Sequence, residues 1–423
     1  MARAVQLVVA FLLIGVVPGR LLGQEAPQAT QLIRAAEGGQ LTAPSGLATL
    51  TVPPGALAAD TTISLTELTA EEGAGLGPAF ELQPDGLQFQ KPATLTIRYQ
   101  PGDLPDGYAP DDVCVATEAA LSPEMAALGA GRAMGGGPPG SPAGPPAEPP
   151  APDATEGLAL AFLEETAVDP DTGTASVELA HLSRYRLRRL KGHVLGTSAA
   201  VLQEGRKGDA WDQGWAYHGA HGAGTARFGY DLAPKALGAS ILWGKVSCPV
   251  GVDGDGVASG YVTKSFRVKR GRAGQARTGV GAVSVALQHA GQIEERTNSG
   301  MIHLYIQCMD EAGGPVGVFD GERRPGDYPG YGSWARWLLP AGCPWIPRFA
   351  APYTPDDRHL VRFGRCRLKA GRIYTILVAL NLSMLGSAPK DGGTMPPLGG
   401  AIEFPRVFGL TAEVVVADST RAS

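Results

Sequence analysis

Charge is scarce in this chain. Asp, Glu, Lys and Arg make up 18% of 423 residues, and the formal net charge is −5. That net charge gives no footprint of nucleic-acid binding, which would need a clustered basic face, so no nucleic-acid partner is expected. Catalytic signatures are missing as well. H-E-x-x-H, G-x-S-x-G and Walker-type patterns do not occur, and Gly254, Gly256 and Gly260 do not form a dinucleotide fingerprint. No cofactor and no small-molecule turnover are expected. Helical periodicity does not persist beyond a couple of turns, which argues against an α-rich fold.

Apolar runs long enough to span a bilayer are absent too. Val5 to Val17 is nearly all apolar, follows Arg3 and precedes Pro18-Gly19 and the small Gly23. It reads as an export signal over residues 1–23, too short for a comfortable membrane span. The alternatives are a retained anchor or a buried first helix. Once the signal is removed no transmembrane segment is expected, and the setting is secreted or cell-surface.

Cysteines number five, and none sits in a C-x-x-C pair, which argues against zinc. Cys248, Cys308, Cys343 and Cys366 fall in the second half, an even set that favours disulfides in an exported domain. Four cysteines permit three connectivities, and the expected one joins Cys343 to Cys366 and Cys248 to Cys308. The alternative is buried free thiols, since free cysteine is a common core residue. Cys114, within Val113-Cys114-Val115, is expected to be a buried thiol.

What the chain does have is turn residues, with Gly 59 and Pro 35. That mixture favours many short strands joined by turns. A first block spans residues 31–190. Leu47 to Val52 alternates before the Pro53-Pro54-Gly55 turn, and Thr61-Thr62-Ile63-Ser64-Leu65 is the next strand. Phe80-Glu81-Leu82 leads to the Pro84-Asp85-Gly86 turn, Lys91-Pro92 interrupts a strand, and Leu95, Ile97 and Tyr99 continue it. Residues 121–155, with Gly135-Gly136-Gly137-Pro138-Pro139 and Pro145-Pro146, are expected to be a disordered insertion. Strands resume at Leu158 to Phe162 and at Ser176-Val177-Glu178-Leu179.

A second block spans residues 191–418. Val283, Val285 and Leu287 alternate, as do Ile302, Leu304, Ile306 and Cys308. Ile373 to Leu380 is apolar on both faces and suits a central strand. The expectation is all-β: two antiparallel β-sandwich domains, the second a jelly roll or another sandwich.

Gly38-Gly39, Thr51 to Leu57, Asp85 to Pro92, Ala93 to Ile97, Asp169 to Thr174 and His181-Leu182-Ser183-Arg184-Tyr185 together resemble a ZU-five domain. That module is the β-sandwich of ankyrins, zonula occludens proteins and netrin receptors. The resemblance covers about a third of the chain and implies a display or connecting role. It also implies a candidate self-cleavage site. In relatives with a His-Phe-Ser sequence the chain breaks before the serine. Here Ser183 would attack the Leu182 carbonyl with His181 as base, and Leu stands for Phe. The alternative is an ordinary final strand.

Other candidates come from the residues alone. Asp253-Gly254-Asp255-Gly256 offers alternating carboxylates to calcium, but lacks the closing glutamate of an EF-hand, and Asp-Gly is also a common turn. His218 and His221 need a helix to converge on a metal, and Gly219, Gly222 and Gly224 oppose one. Trp211, Trp215 and Tyr217 read as one aromatic loop, and Tyr328, Tyr331 and Trp334 as another. Such rings either stack on sugars or anchor a protein, or they cap the ends of a sandwich. Asn381-Leu382-Ser383 fits a glycosylation sequon. The expected function is a non-catalytic structural or interaction protein. Its partners would be other proteins, itself or surface glycans, with a glycan-binding adhesin or a self-cleaving precursor as alternatives.

Overall fold

The computed structural model describes residues 26–68, 75–104, 107–120, 158–194, 199–202, 210–233, 239–269, 278–295, 300–321, 327–330, 333–339, 356–388, 397–406 and 409–418. The expected export signal and proline-rich insertion lie outside them, as do Tyr331 and Cys343. Strands are numbered along the chain.

Alternation in the first block builds two facing sheets. One carries β1 (Gln28–Ile33), β4 (Thr61–Leu68), β5 (Gly75–Gln83), β11 (Arg184–Arg189), β7 (Val113–Ala120) and β8 (Leu158–Phe162), in that order. The other carries β2 (Gly39–Thr42), β3 (Ala48–Val52), β6 (Gln88–Arg98), β10 (Thr174–His181) and β9 (Ala167–Asp169). Ala48, Leu50 and Val52 of β3 and Leu95 and Ile97 of β6 point into one core with Ile63, Leu65, Phe80 and Leu82. A fully buried side chain of this size contributes roughly 1.5–3 kcal/mol. The turn into β2 needs glycine: Gly38 has φ +70°, and a Cβ there would lie 2.3 Å from the Val52 carbonyl oxygen.

The second block forms a second sandwich. In one sheet β12 (Lys191–Val194) and β14 (Gln213–Gly222) pair with the same edge of β17 (Gly254–Lys269). Then follow β25 (Ile373–Gly386), β20 (Gly300–Asp310), β23 (Ser333–Leu339) and β22 (Asp327–Gly330). The opposing sheet runs β19 (Gln292–Glu295), β26 (Gly400–Phe404), β16 (Leu242–Cys248), β27 (Leu410–Asp418), β18 (Thr278–Ala290), β24 (Asp356–Lys369) and β21 (Val318–Phe319). There β13 (Ala199–Leu202) joins β27 and β15 (Thr225–Tyr230) joins β16. Among the described pairings all are antiparallel except β12 with β17. The fold is therefore all-β and built of antiparallel sandwiches. As its composition predicts, β25 is central, flanked by β17 and β20 and buried on both faces from Ile376 to Leu382.

Among the described residues no disulfide is formed, and Cys343, the partner expected for Cys366, lies outside them. Cys248, Cys308 and Cys366 are free buried thiols, as is Cys114. The three described cysteines of the second sandwich do point into its core, but each packs as a small apolar side chain. Cys366 Sγ donates to the Phe363 carbonyl at 3.2 Å, and Cys248 Sγ approaches the Val252 carbonyl at 3.6 Å. Burial pushes the Cys366 thiol up to about 11, so little reactive thiolate forms there.

One residue, Leu190, separates β11 from β12, so the chain passes directly from one sandwich into the other. Leu190, Cys114 and Ile373 form a small apolar seam. Around it, Asp112 Oδ1 accepts from Gly192 N at 3.0 Å and from Lys269 Nζ at 2.6 Å. Arg267 Nη2 donates to Cys114 Sγ at 3.1 Å. Glu164 accepts from Ile373 N at 2.9 Å and from Arg372 Nη1 at 2.7 Å. A buried carboxylate with several donors is a strong tie because its charge is matched as it loses water.

Candidate functional site

Period-two geometry gives the β14–β17–β25–β20 sheet two distinct faces. Ala258, Val262, Phe266, Ile376, Val378, Leu380, Ile302, Leu304 and Ile306 face the core. The residues between them face away, and the register aligns them in rows. One row runs Trp215, Tyr261, Ala379, Tyr305. On one side lies Tyr217, Ser259, Asn381, His303, and on the other Gln213, Thr263, Leu377, Gln307. Trp215 and Tyr305 are three strand spacings apart, roughly 14 Å.

The rings are ordered. Trp215 lies parallel to Tyr217, with centroids 6.3 Å apart and planes within 9°, and to Tyr261 at 5.9 Å and 18°. Tyr305 stacks on His303 at 6.3 Å. Trp215, Tyr217 and Tyr305 are half-buried, whereas Tyr261, Leu377, Ala379 and Met309 form the floor beneath them. Polar atoms share that floor. Asn381 Nδ2 lies 3.4 Å from His303 Nδ1. Tyr261 Oη and Gln307 Oε1 are buried without a hydrogen-bond partner among the described residues. Burial pushes the His303 imidazole down to about 4, and the Tyr261 hydroxyl is raised by burial and the nearby Tyr230.

A buried ion pair anchors the strand that carries two of the rings. Lys264 and Asp212 are 0% and 1% exposed, with Nζ 3.4 Å from Oδ1. Lys264 Nζ also donates to the Ala210 carbonyl at 2.7 Å, and Ser265 N donates to Asp212 Oδ2 at 2.5 Å. These bonds sit just before the start of β14, where Asp212 is three residues ahead of Trp215 and on the opposite face.

The structure redistributes the sequence candidates. Trp215 and Tyr217 come together on a strand, not a loop. The glycines that suggested a loop serve close packing: a Cβ on Gly214 would lie 2.4 Å from the Tyr230 ring, and one on Gly219 2.7 Å from the Tyr217 hydroxyl. Trp211 is fully buried, so it is a core residue and not a binding residue. Trp334 lies in β23, where its backbone pairs with Ile306, and Tyr331 lies outside the described residues. Tyr261, Tyr305, His303 and Gln307 were not singled out in the sequence, and Asn381 was singled out only as a glycosylation sequon. The signal was present for β20: if Ile302, Leu304 and Ile306 face the core, His303, Tyr305 and Gln307 must face away.

Asp253 and Asp255 take separate partners. Asp253 Oδ1 accepts from Ala388 N at 2.8 Å, while Asp255 Oδ1 meets His221 Nδ1 at 3.1 Å. Among the described residues no group of three or more His, Cys, Asp or Glu gathers as metal ligands. His181-Leu182-Ser183 passes from β10 into β11. The Leu182 carbonyl accepts from Gly86 N at 2.9 Å, Leu182 N donates to Leu87 O at 2.9 Å, and Tyr185 Oη donates to the His181 carbonyl at 2.7 Å. The positive-φ non-glycine residue among those described is Arg365, so the tripeptide carries no left-handed strain.

No family model and no curated protein matches this chain. Several solved structures show slight likeness. A bacteriophage CBA120 tailspike protein 4 enzymatically active domain is 12% identical, covering 46% of this chain and 19% of that one at a TM-score of 0.17. A carbohydrate-binding module from the β-sandwich superfamily is 8% identical, covering 78% and 95% at 0.19. An isomalto-dextranase of Arthrobacter globiformis T6, complexed with panose, is 10% identical, covering 86% and 37% at 0.16. The chain thus spans less than a fifth of the tailspike domain and little more than a third of the dextranase. At such TM-scores none of their ligands or activities is transferred to this chain.

Proposed function

We propose that this chain is an exported, non-catalytic interaction protein that holds carbohydrate on the outer face of its second sandwich. The observation that carries the reading is the half-exposed aromatic set Trp215, Tyr217 and Tyr305, ordered over a buried floor and flanked by the partly exposed Gln213. Flat aromatic faces cover the apolar C–H faces of sugars, and neighbouring polar groups take their hydroxyls. The first sandwich, with its ZU-five-like residues, is the connecting module that orients this face. The hydrogen bonds and ion pairs of the seam suit that role, because a scaffold ordered beforehand lowers the cost of binding.

Trp215 provides the readout. Titrating the protein with a panel of polysaccharides should quench or shift its tryptophan fluorescence for at least one glycan, and Trp215→Phe should reduce that signal. Unchanged fluorescence and no retention across the whole panel would remove the carbohydrate reading.

A further inference from the structure

We propose that the glycan taken by this face is an uncharged one, bound without ion pairing; the proposal rests on the carbohydrate reading above. The outward positions of β14, β17, β25 and β20 form a continuous field without Asp, Glu, Lys or Arg. It extends from the row of Val257, Ser383 and Met301 to the row of Ser265, Thr375 and Met309. Formal charge begins at its two ends, at Asp255, which His221 engages, and at Arg267, which is tied into the seam between sandwiches. Lys264 and Asp212 alternate to the inner face and neutralise each other there.

The titratable side chain within the field does not change this. Burial keeps His303 neutral at physiological pH. What the field offers at its surface is therefore the rings of Trp215, Tyr217 and Tyr305 with the partly exposed Gln213, Thr375 and Ser383, all uncharged. Beneath that surface Ser259, Thr263, Ser265 and Gln307 are buried and equally uncharged. A uronate or sulfate brought onto this surface would lose hydration with no cation to offset it. A neutral chain exchanges hydroxyl–water bonds for hydroxyl–amide bonds and suffers no such loss.

The test is affinity electrophoresis of the whole chain through gels containing neutral polysaccharides (dextran, xylan, mannan, soluble cellulose) or anionic ones (alginate, polygalacturonate, heparin). Each is run at about 0.1 M and about 1 M salt, where the Debye length falls from about 10 Å to about 3 Å. The expected result is retardation by a neutral gel that changes less than about twofold with salt. Gln213→Glu, which places a charge at the edge of the field, should leave neutral binding weaker and create no anionic binding. Retardation confined to anionic gels, or lost steeply with salt, overturns the uncharged-ligand proposal while leaving carbohydrate binding intact. Retardation by no gel overturns both.

Discussion

Glu164 of the first sandwich and Arg372 of the second meet at 2.7 Å, and Glu311 brings a second carboxylate to the same guanidinium. Two acids share one base across the seam. Burial opposes ionisation of Glu164, but hydrogen bonds from Glu311, Ile373 N and Arg372 hold it below the usual carboxylate range. Glu311 is its complement. The hydrogen bond to Glu164, then burial and the Glu164 charge, push it up to about 7.

The sign of the pH effect follows from that shift. A carboxyl whose folded pKa is raised contributes stability that is complete below its unfolded value and is lost as pH rises through the folded one. The window here runs from about 4.5 to about 7. Glu311 is 38% exposed, so solvent screening keeps the effect small. The thermal midpoint of the native chain should fall relative to Glu311→Gln across this window. Parallel pH curves for the two proteins would show that the shared proton has no energetic consequence.

Removing one member of the buried pair at the start of β14 should be costly. Asp212→Ala strands Lys264 in the core and is expected to cost roughly 3–5 kcal/mol in denaturant unfolding. Replacing both residues with apolar side chains of similar volume should cost much less. Equal losses for single and double variants would show that packing, and not charge, dominates at this position.

Thiol chemistry offers a direct check on the core. Cys114, Cys248, Cys308 and Cys366 should be unreactive toward an alkylating reagent in the native protein and should all react after unfolding without reductant. Mobility in denaturing gels should not change on reduction. Three or fewer reactive thiols among the chain's five cysteines in the unfolded, unreduced protein would mean that a disulfide staples this sandwich after all.

Much of this fold is legible from composition and period. The run from Ile373 to Leu380 is apolar on both faces because β25 has a core on one side and a second apolar cluster of Tyr261, Met309, Leu377 and Ala379 on the other. Alternation around Ile302, Leu304 and Ile306 is legible for the same reason. Cross-strand register is not legible. Nothing local says that Trp215 sits beside Tyr261, or that Asp212 opposes Lys264 from 52 residues away. The glycines of β14 mislead because glycine has two uses, conformational freedom and close approach. Here Tyr230 over Gly214 requires the second use. Inward cysteines are predictable from apolar neighbours, but pairing depends on a separation that no local pattern encodes.

The most direct measurement replaces the two half-exposed rings of β14 together. Trp215→Ala/Tyr217→Ala, compared with the native chain by affinity electrophoresis on the neutral polysaccharide that retards it most, should lose roughly tenfold in affinity. Each ring contributes about 0.5–1.5 kcal/mol beyond its buried area, and about 1.4 kcal/mol is a factor of ten. The thermal midpoint, measured in parallel, should show that the variant remains folded. A folded variant that binds every glycan as the native chain does would contradict the assignment of this face.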